Sequence, residues 1–92
     1  MSLAPDSVVV RRADALTAEV DEELVMLDPR QGQYFGLDPI ARQIWELLET
    51  PRSVDALCAE VQGRFDVAPD TCRRDVLAFL DQLDEAELVE VR

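Results

Sequence analysis

Apolar and polar positions alternate twice near the N-terminus, from Leu16 to Val20 and from Leu24 to Asp28, with Asp21-Glu22-Glu23 between them as a polar turn. A strand sends successive side chains to opposite faces, so Val25 and Leu27 share one face of the second strand and Leu24 and Met26 the other. Asp28-Pro29-Arg30-Gln31-Gly32 predicts the next turn, in which Pro29 presets φ and Gly32 takes the positive φ that closes a hairpin. Gln33 to Leu37 then completes a small antiparallel meander, with Phe35 and Leu37 toward the core and Tyr34 and Gly36 away from it. Upstream, Val8-Val9-Val10 reads as a strand or an extended lead-in. The polar, Pro-containing residues 1–7 read as a flexible arm outside a domain spanning 8–92.

The period changes at Asp38. Its carboxylate suits an N-cap, and Pro39 suits the first helical position, where no amide hydrogen is needed. Ile40, Ala41, Ile44, Trp45, Leu47 and Leu48 recur at helical spacing until Pro51 stops the run. Ser53 caps a second helix with the stripe Val54, Leu57, Val61 and Phe65. Pro69 opens a third, longer helix that ends near Glu85 or Ala86, and Leu88-Val89-Glu90-Val91 finishes as a short strand. The expected class is α+β with a winged-helix-like outline: an N-terminal three-stranded antiparallel sheet followed by three α-helices.

The 92 residues form one domain, 48% apolar, which is enough for a core without staples. No apolar run approaches the ~20 residues of a membrane span. The start of the chain lacks a basic region followed by an apolar one, so a cytoplasmic protein without membrane contact is expected. Twenty acidic residues against nine arginines and no lysine give a net charge of −11. That balance argues against nucleic acid as a partner, because phosphate binding draws on clustered positive charge.

Histidine is absent, and with it the usual general base, triad relay and commonest metal ligand. There is no GxGxxG, P-loop or GxSxG elbow. Cys58 and Cys72 lie in different predicted helices without CxxC spacing and read as small buried hydrophobes. Asp81, Asp84, Glu85 and Glu87 read as a solvated helix face. The chain is expected to be no enzyme and to need no cofactor or metal.

What remains is a surface. Gln33-Tyr34-Phe35-Gly36-Leu37 carries neither charge nor proline, the devices that usually blunt an exposed sheet edge. As an edge it is a template for an added peptide strand; as a central strand it is not, and the sequence leaves both open. On the third helix Cys72, Val76, Phe79 and Leu83 form the expected core stripe. Leu77 lies roughly 120° from its centre, Leu80 lies partway between, and Arg73 and Asp84 share their side.

The turn Gly32, the aromatic pair Tyr34-Phe35, Leu37, Ile44-Trp45 and Asp75-Val76 together resemble the PqqD-like family, small domains known as RiPP recognition elements. One departure is Asp38-Pro39, where the family more often shows Asn and a small polar residue; Asp caps as Asn does. The resemblance implies that a precursor leader peptide is held as an added strand between the third strand of the sheet and the third helix. Carried onto this chain, the groove is lined by Gln33, Tyr34, Phe35, Gly36 and Leu37, and by Arg73, Leu77, Leu80, Asp81 and Asp84.

The family's stand-alone members imply partners in a leader peptidase or another maturation enzyme, and the sequence ending at Arg92 fits a stand-alone subunit. The chain most resembles the subunit that works beside a leader peptidase in lasso-peptide biosynthesis. A PqqD-type peptide chaperone for a radical maturase is the alternative. A winged-helix transcription regulator is a further one, but its candidate recognition helix carries six acidic residues against Arg73 and Arg74 between Pro69 and Glu87. A plain protein–protein adaptor is the remaining reading.

Overall fold

The computed structural model describes residues 3–13, 15–28 and 32–92. In chain order the elements are β1 (Val8–Arg11), β2 (Thr17–Val20), β3 (Glu23–Asp28), β4 (Gln33–Leu37), α1 (Pro39–Leu47), β5 (Arg52–Ser53), α2 (Val54–Arg64), α3 (Pro69–Glu85) and β6 (Val89–Val91).

The meander forms as its alternation dictates, in the order β2-β3-β4. Asp21 and Glu22 both take positive φ, 51° and 70°, the mark of the tight two-residue hairpin whose twist matches its strands. In β3–β4 the register sets Leu24 opposite Leu37, Met26 opposite Phe35 and Asp28 opposite Gln33. Leu24, Met26 and Leu37 are buried on that inner face. Gly32 closes the second turn with φ 66°, and its amide donates to the Asp28 carbonyl at 2.8 Å. The expected part of Pro29 in that turn lies outside the described residues.

The α+β class and the order of meander then helices match the expectation, but the winged-helix likeness fits loosely. β1 is neither a lead-in nor part of the meander: it pairs with β5 on one side and β6 on the other, making a second three-stranded sheet. β5 was not legible in the sequence because two residues are too short to show alternation. The expected arm also needs correction over residues 3–7. Leu3 is buried, and the carbonyls of Ser7 and Pro5 accept from the amides of Val54 and Asp55 at 3.0 Å each. Two orphan donors of the first turn of α2 are thereby satisfied.

Helix ends follow local chemistry. Asp38 caps α1 by accepting from Ala41 N at 2.8 Å, and Ser53 caps α2 by accepting from Ala56 N at 3.1 Å. α3 stops in a Schellman arrangement: Leu88 N donates to Leu83 O at 2.9 Å and Glu87 N to Asp84 O at 3.0 Å. Glu87 occupies the left-handed position, φ 59°, where glycine is usual.

The core lies among the three helices and the inner face of the meander: Met26, Ile44, Trp45, Leu48, Val54, Leu57, Val61, Cys72, Val76, Leu80 and Leu83 are all buried. Burying each large side chain contributes about 1.5–3 kcal/mol. Within this core the Cys72 thiol donates to the Cys58 carbonyl at 3.7 Å, and both thiols are free. Burial, and then the neighbouring Cys72, push the Cys58 thiol up to about 11.

Because the folded value lies above the unfolded one of about 8.5, this thiol's contribution to stability is complete below that pH and is lost as pH rises toward 11. The urea midpoint should therefore fall across that window, and a Cys58→Ala variant should show a shallower fall. Parallel curves for the two proteins would remove Cys58 as the cause.

Candidate functional site

Among the described residues β4 pairs only with β3, so its other side is open. Which backbone groups face that side follows from the ladder. Leu27 N donates to Leu16 O at 3.0 Å, so odd-numbered β3 residues point their backbone groups toward β2 and even-numbered ones toward β4. Gln33, Phe35 and Leu37, opposite Asp28, Met26 and Leu24, thus exchange bonds with β3. Tyr34 and Gly36 turn their N–H and C=O outward. These are the unpaired donors and acceptors that an incoming strand requires.

Side chains alternate with the same period. Phe35 is half-buried on the inner face, whereas Tyr34 is 71% exposed on the outer one. Leu16 and Val20 are exposed there as well, at 59% and 53%, beside half-buried Val25 and Leu27. Gly36 keeps this outer face open next to the edge; a Cβ built there would meet only Glu23 Oε2, at 3.9 Å.

Opposite the open edge stands α3. A cleft of about 730 Å³ runs between them, with Asp28, Gln33, Tyr34 and Phe35 on the sheet side and Gln82, Glu85 and Ala86 on the helix side. A second hollow of about 300 Å³ lies further along α3, where Asp75, Ala78, Phe79 and Gln82 meet Asp38, Ile40, Ala41 and Ile44. Gln82 borders both, so the two form one track beside β4 and the start of α1. Its polar end is the larger cleft, and its apolar end is the hollow built from Ile40, Ile44 and Phe79.

The β4 residues expected from the sequence sit where a strand-edge site needs them. The expected α3 residues do not line this track. Leu80 is fully buried in the core. Arg73 faces α2, its Nη2 lying 3.4 Å from Asp55 Oδ1. Asp84 borders a different hollow with Arg12 and β6. Leu77 packs partly buried against the core, and Asp81 Oδ1 is buried without a hydrogen-bond partner among the described residues.

The physical reason is rotation: Leu80 rather than Phe79 takes the central core position beside Cys72, Val76 and Leu83. The flank turned to β4 is therefore the one carrying Asp75, Ala78, Phe79, Gln82 and Ala86. A signal for it was present. Ala78, Gln82 and Ala86 recur every fourth residue without charge, whereas the opposite flank carries Arg73, Asp81 and Asp84.

Fold and site together define a small two-sheet, three-helix domain whose meander ends in an open strand edge walled by a helix. The chain belongs to the PqqD family: the profile described as coenzyme PQQ synthesis protein D matches residues 23–89. Among solved structures, TbiB1 in complex with the TbiA(beta) leader peptide is 32% identical with a TM-score of 0.71, over 88% of this chain and 94% of that one. A lasso peptide synthetase B1 complexed with the leader peptide is 24% identical, TM-score 0.72, over 89% and 96%.

The PqqD truncation of Methylobacterium extorquens PqqCD, a functional and stand-alone RiPP recognition element, is 19% identical, TM-score 0.76, over 97% and 95%. These last two likenesses show the fold. No protein of curated function matches the chain.

Proposed function

We propose that this chain captures the leader segment of a ribosomally made precursor peptide as a fourth strand beside β4, and presents it to a separate leader peptidase of a lasso-peptide pathway. The observation that carries the reading is the open side of β4, with the outward backbone groups of Tyr34 and Gly36 facing the α3 wall. Support for leader capture comes from TbiB1, 32% identical and solved with a leader peptide on it. The lasso pathway is suggested by the lasso peptide synthetase B1 of the same fold, also complexed with the leader peptide. A peptide chaperone for a radical maturase keeps the same site and differs only in the enzyme served; the family's description favours it as the second reading.

The protein contributes binding and presentation, and the chemistry belongs to the partner enzyme. Neither the acidic α3 nor the matches support reading DNA. Among the described residues no helix is long and apolar enough to cross a membrane.

In this reading the peptide meets Gln33, Tyr34, Phe35, Gly36 and Leu37 on the sheet side. On the helix side it meets the flank of α3 that carries Asp75, Phe79, Gln82 and Glu85. A disordered leader orders on binding, at a cost of about 2–5 kcal/mol, which suits reversible hand-over.

Titrating the ¹⁵N-labelled protein with synthetic leader peptides, the TbiA(beta) leader bound by the 32%-identical TbiB1 first among them, should shift amides in residues 33–37 and on that flank of α3. Arg73→Ala should leave the affinity within about twofold, as for a surface residue away from the contact. Shifts confined to the α2-facing side of α3, or none at all, would overturn the site.

A further inference from the structure

We propose that the larger cleft is a receptor for a cationic side chain, so that the leader taken here carries a lysine or arginine at an inward-facing position opposite Gln33 to Phe35. The inference rests on the strand-addition reading and goes beyond it by naming the chemistry of one guest residue.

Two carboxylates enter the cleft from opposite walls, Asp28 from β3 and Glu85 from the end of α3. Asp28 is the one polar or charged residue buried as a whole among the described residues, only 8% exposed. The amides of Gln33 and Gln82 supply carbonyl acceptors beside them, and Phe35, on the inner face, supplies aromatic surface. Carboxylates, amide oxygens and ring faces are the groups that bind guanidinium and ammonium. No arginine lines the cleft among the described residues; those on α3 point elsewhere, Arg73 to Asp55 and Arg74 to Asp75.

Asp28 and Glu85 each already take part in an interaction within the chain. A carboxylate has about four lone-pair sites, which leaves room for a second donor. A guest residue opposite Phe35 sends its side chain to the same inner face as Phe35, because directly opposed residues in a ladder share a face. That direction leads into this cleft. Net charge −11 adds a long-range attraction for such a guest.

Fluorescence anisotropy with the labelled leader, at 50 and 500 mM salt, tests this. Glu85 is exposed, so Glu85→Gln and Glu85→Lys should fold normally. At low salt the first should weaken binding about tenfold and the second further, the scale of losing one charge-assisted hydrogen bond. The wild-type affinity should fall with salt, and the Gln variant's should fall less. Replacing the leader's lysines and arginines singly by glutamine should find one position that reproduces the loss and adds nothing to Glu85→Gln.

A leader that binds tightly yet contains neither lysine nor arginine overturns the proposal, as do Glu85 variants within twofold of wild type. Both results leave strand addition standing. Failure of the wild-type chain to bind any leader would instead remove the reading beneath it.

Discussion

Replacing Gly36 with proline should abolish leader binding while leaving the domain folded. The Gly36 N–H points out of the sheet, so its removal takes no bond from the β3–β4 ladder. Proline is tolerated on edge strands in this orientation. Its φ is not in the positive range, and the built Cβ meets nothing closer than 3.9 Å. A guest strand, by contrast, loses a donor, keeps an unsatisfied carbonyl and meets the pyrrolidine ring. Together these should cost roughly 2–4 kcal/mol, or about 30- to 1,000-fold in affinity.

Gly36→Ala should bind within about threefold, because its methyl joins the outer face and the N–H remains. Phe35→Pro should unfold the meander, since Phe35 bonds to β3. Anisotropy for binding and circular dichroism for the fold separate these three cases. Near-native affinity in Gly36→Pro would mean that no backbone pairing with β4 occurs.

Leu80→Ala should be the opposite kind of variant, damaging the fold and sparing the site. Leu80 is fully buried where α3 meets the rest of the core. Truncation there should cost about 2–5 kcal/mol, and for a domain of this size each kcal/mol lowers Tm by about 4–8 °C. A fall of about 8–40 °C is expected, with the affinity of the folded fraction little changed. A small thermal shift accompanied by a large loss of affinity would instead return Leu80 to the cleft.

That contrast marks where the sequence was legible. The meander, its inward and outward residues, both side-chain caps and the limits of α3 could all be read because each rests on local chemistry: alternation, Asp38-Pro39, Ser53, Pro69. The openness of β4 could not, since whether a strand is an edge depends on where β1 goes, and three valines carry no record of their partners. β1 joins β5 and β6, which leaves β4 without a second neighbour among the described residues.

The facing side of α3 failed for a finer reason. One step around a helix separates Phe79 from Leu80, and both are apolar. Only three-dimensional packing decides which enters the core, and that choice sends the charged flank with Arg73 toward α2. The exposed apolar outer face at Leu16, Val20 and Tyr34 was also missed, because alternation reports two faces without saying which is covered.

The meander is unpaired at β2 as well as at β4 among the described residues. A ribbon with two bare margins invites like to stack on like. Mutual repulsion opposes such stacking, since each approaching molecule carries eleven units of surplus negative charge. Concentrated brine shortens that repulsion to about 3 Å at 1 M, so raising the salt should favour association of copies through these margins.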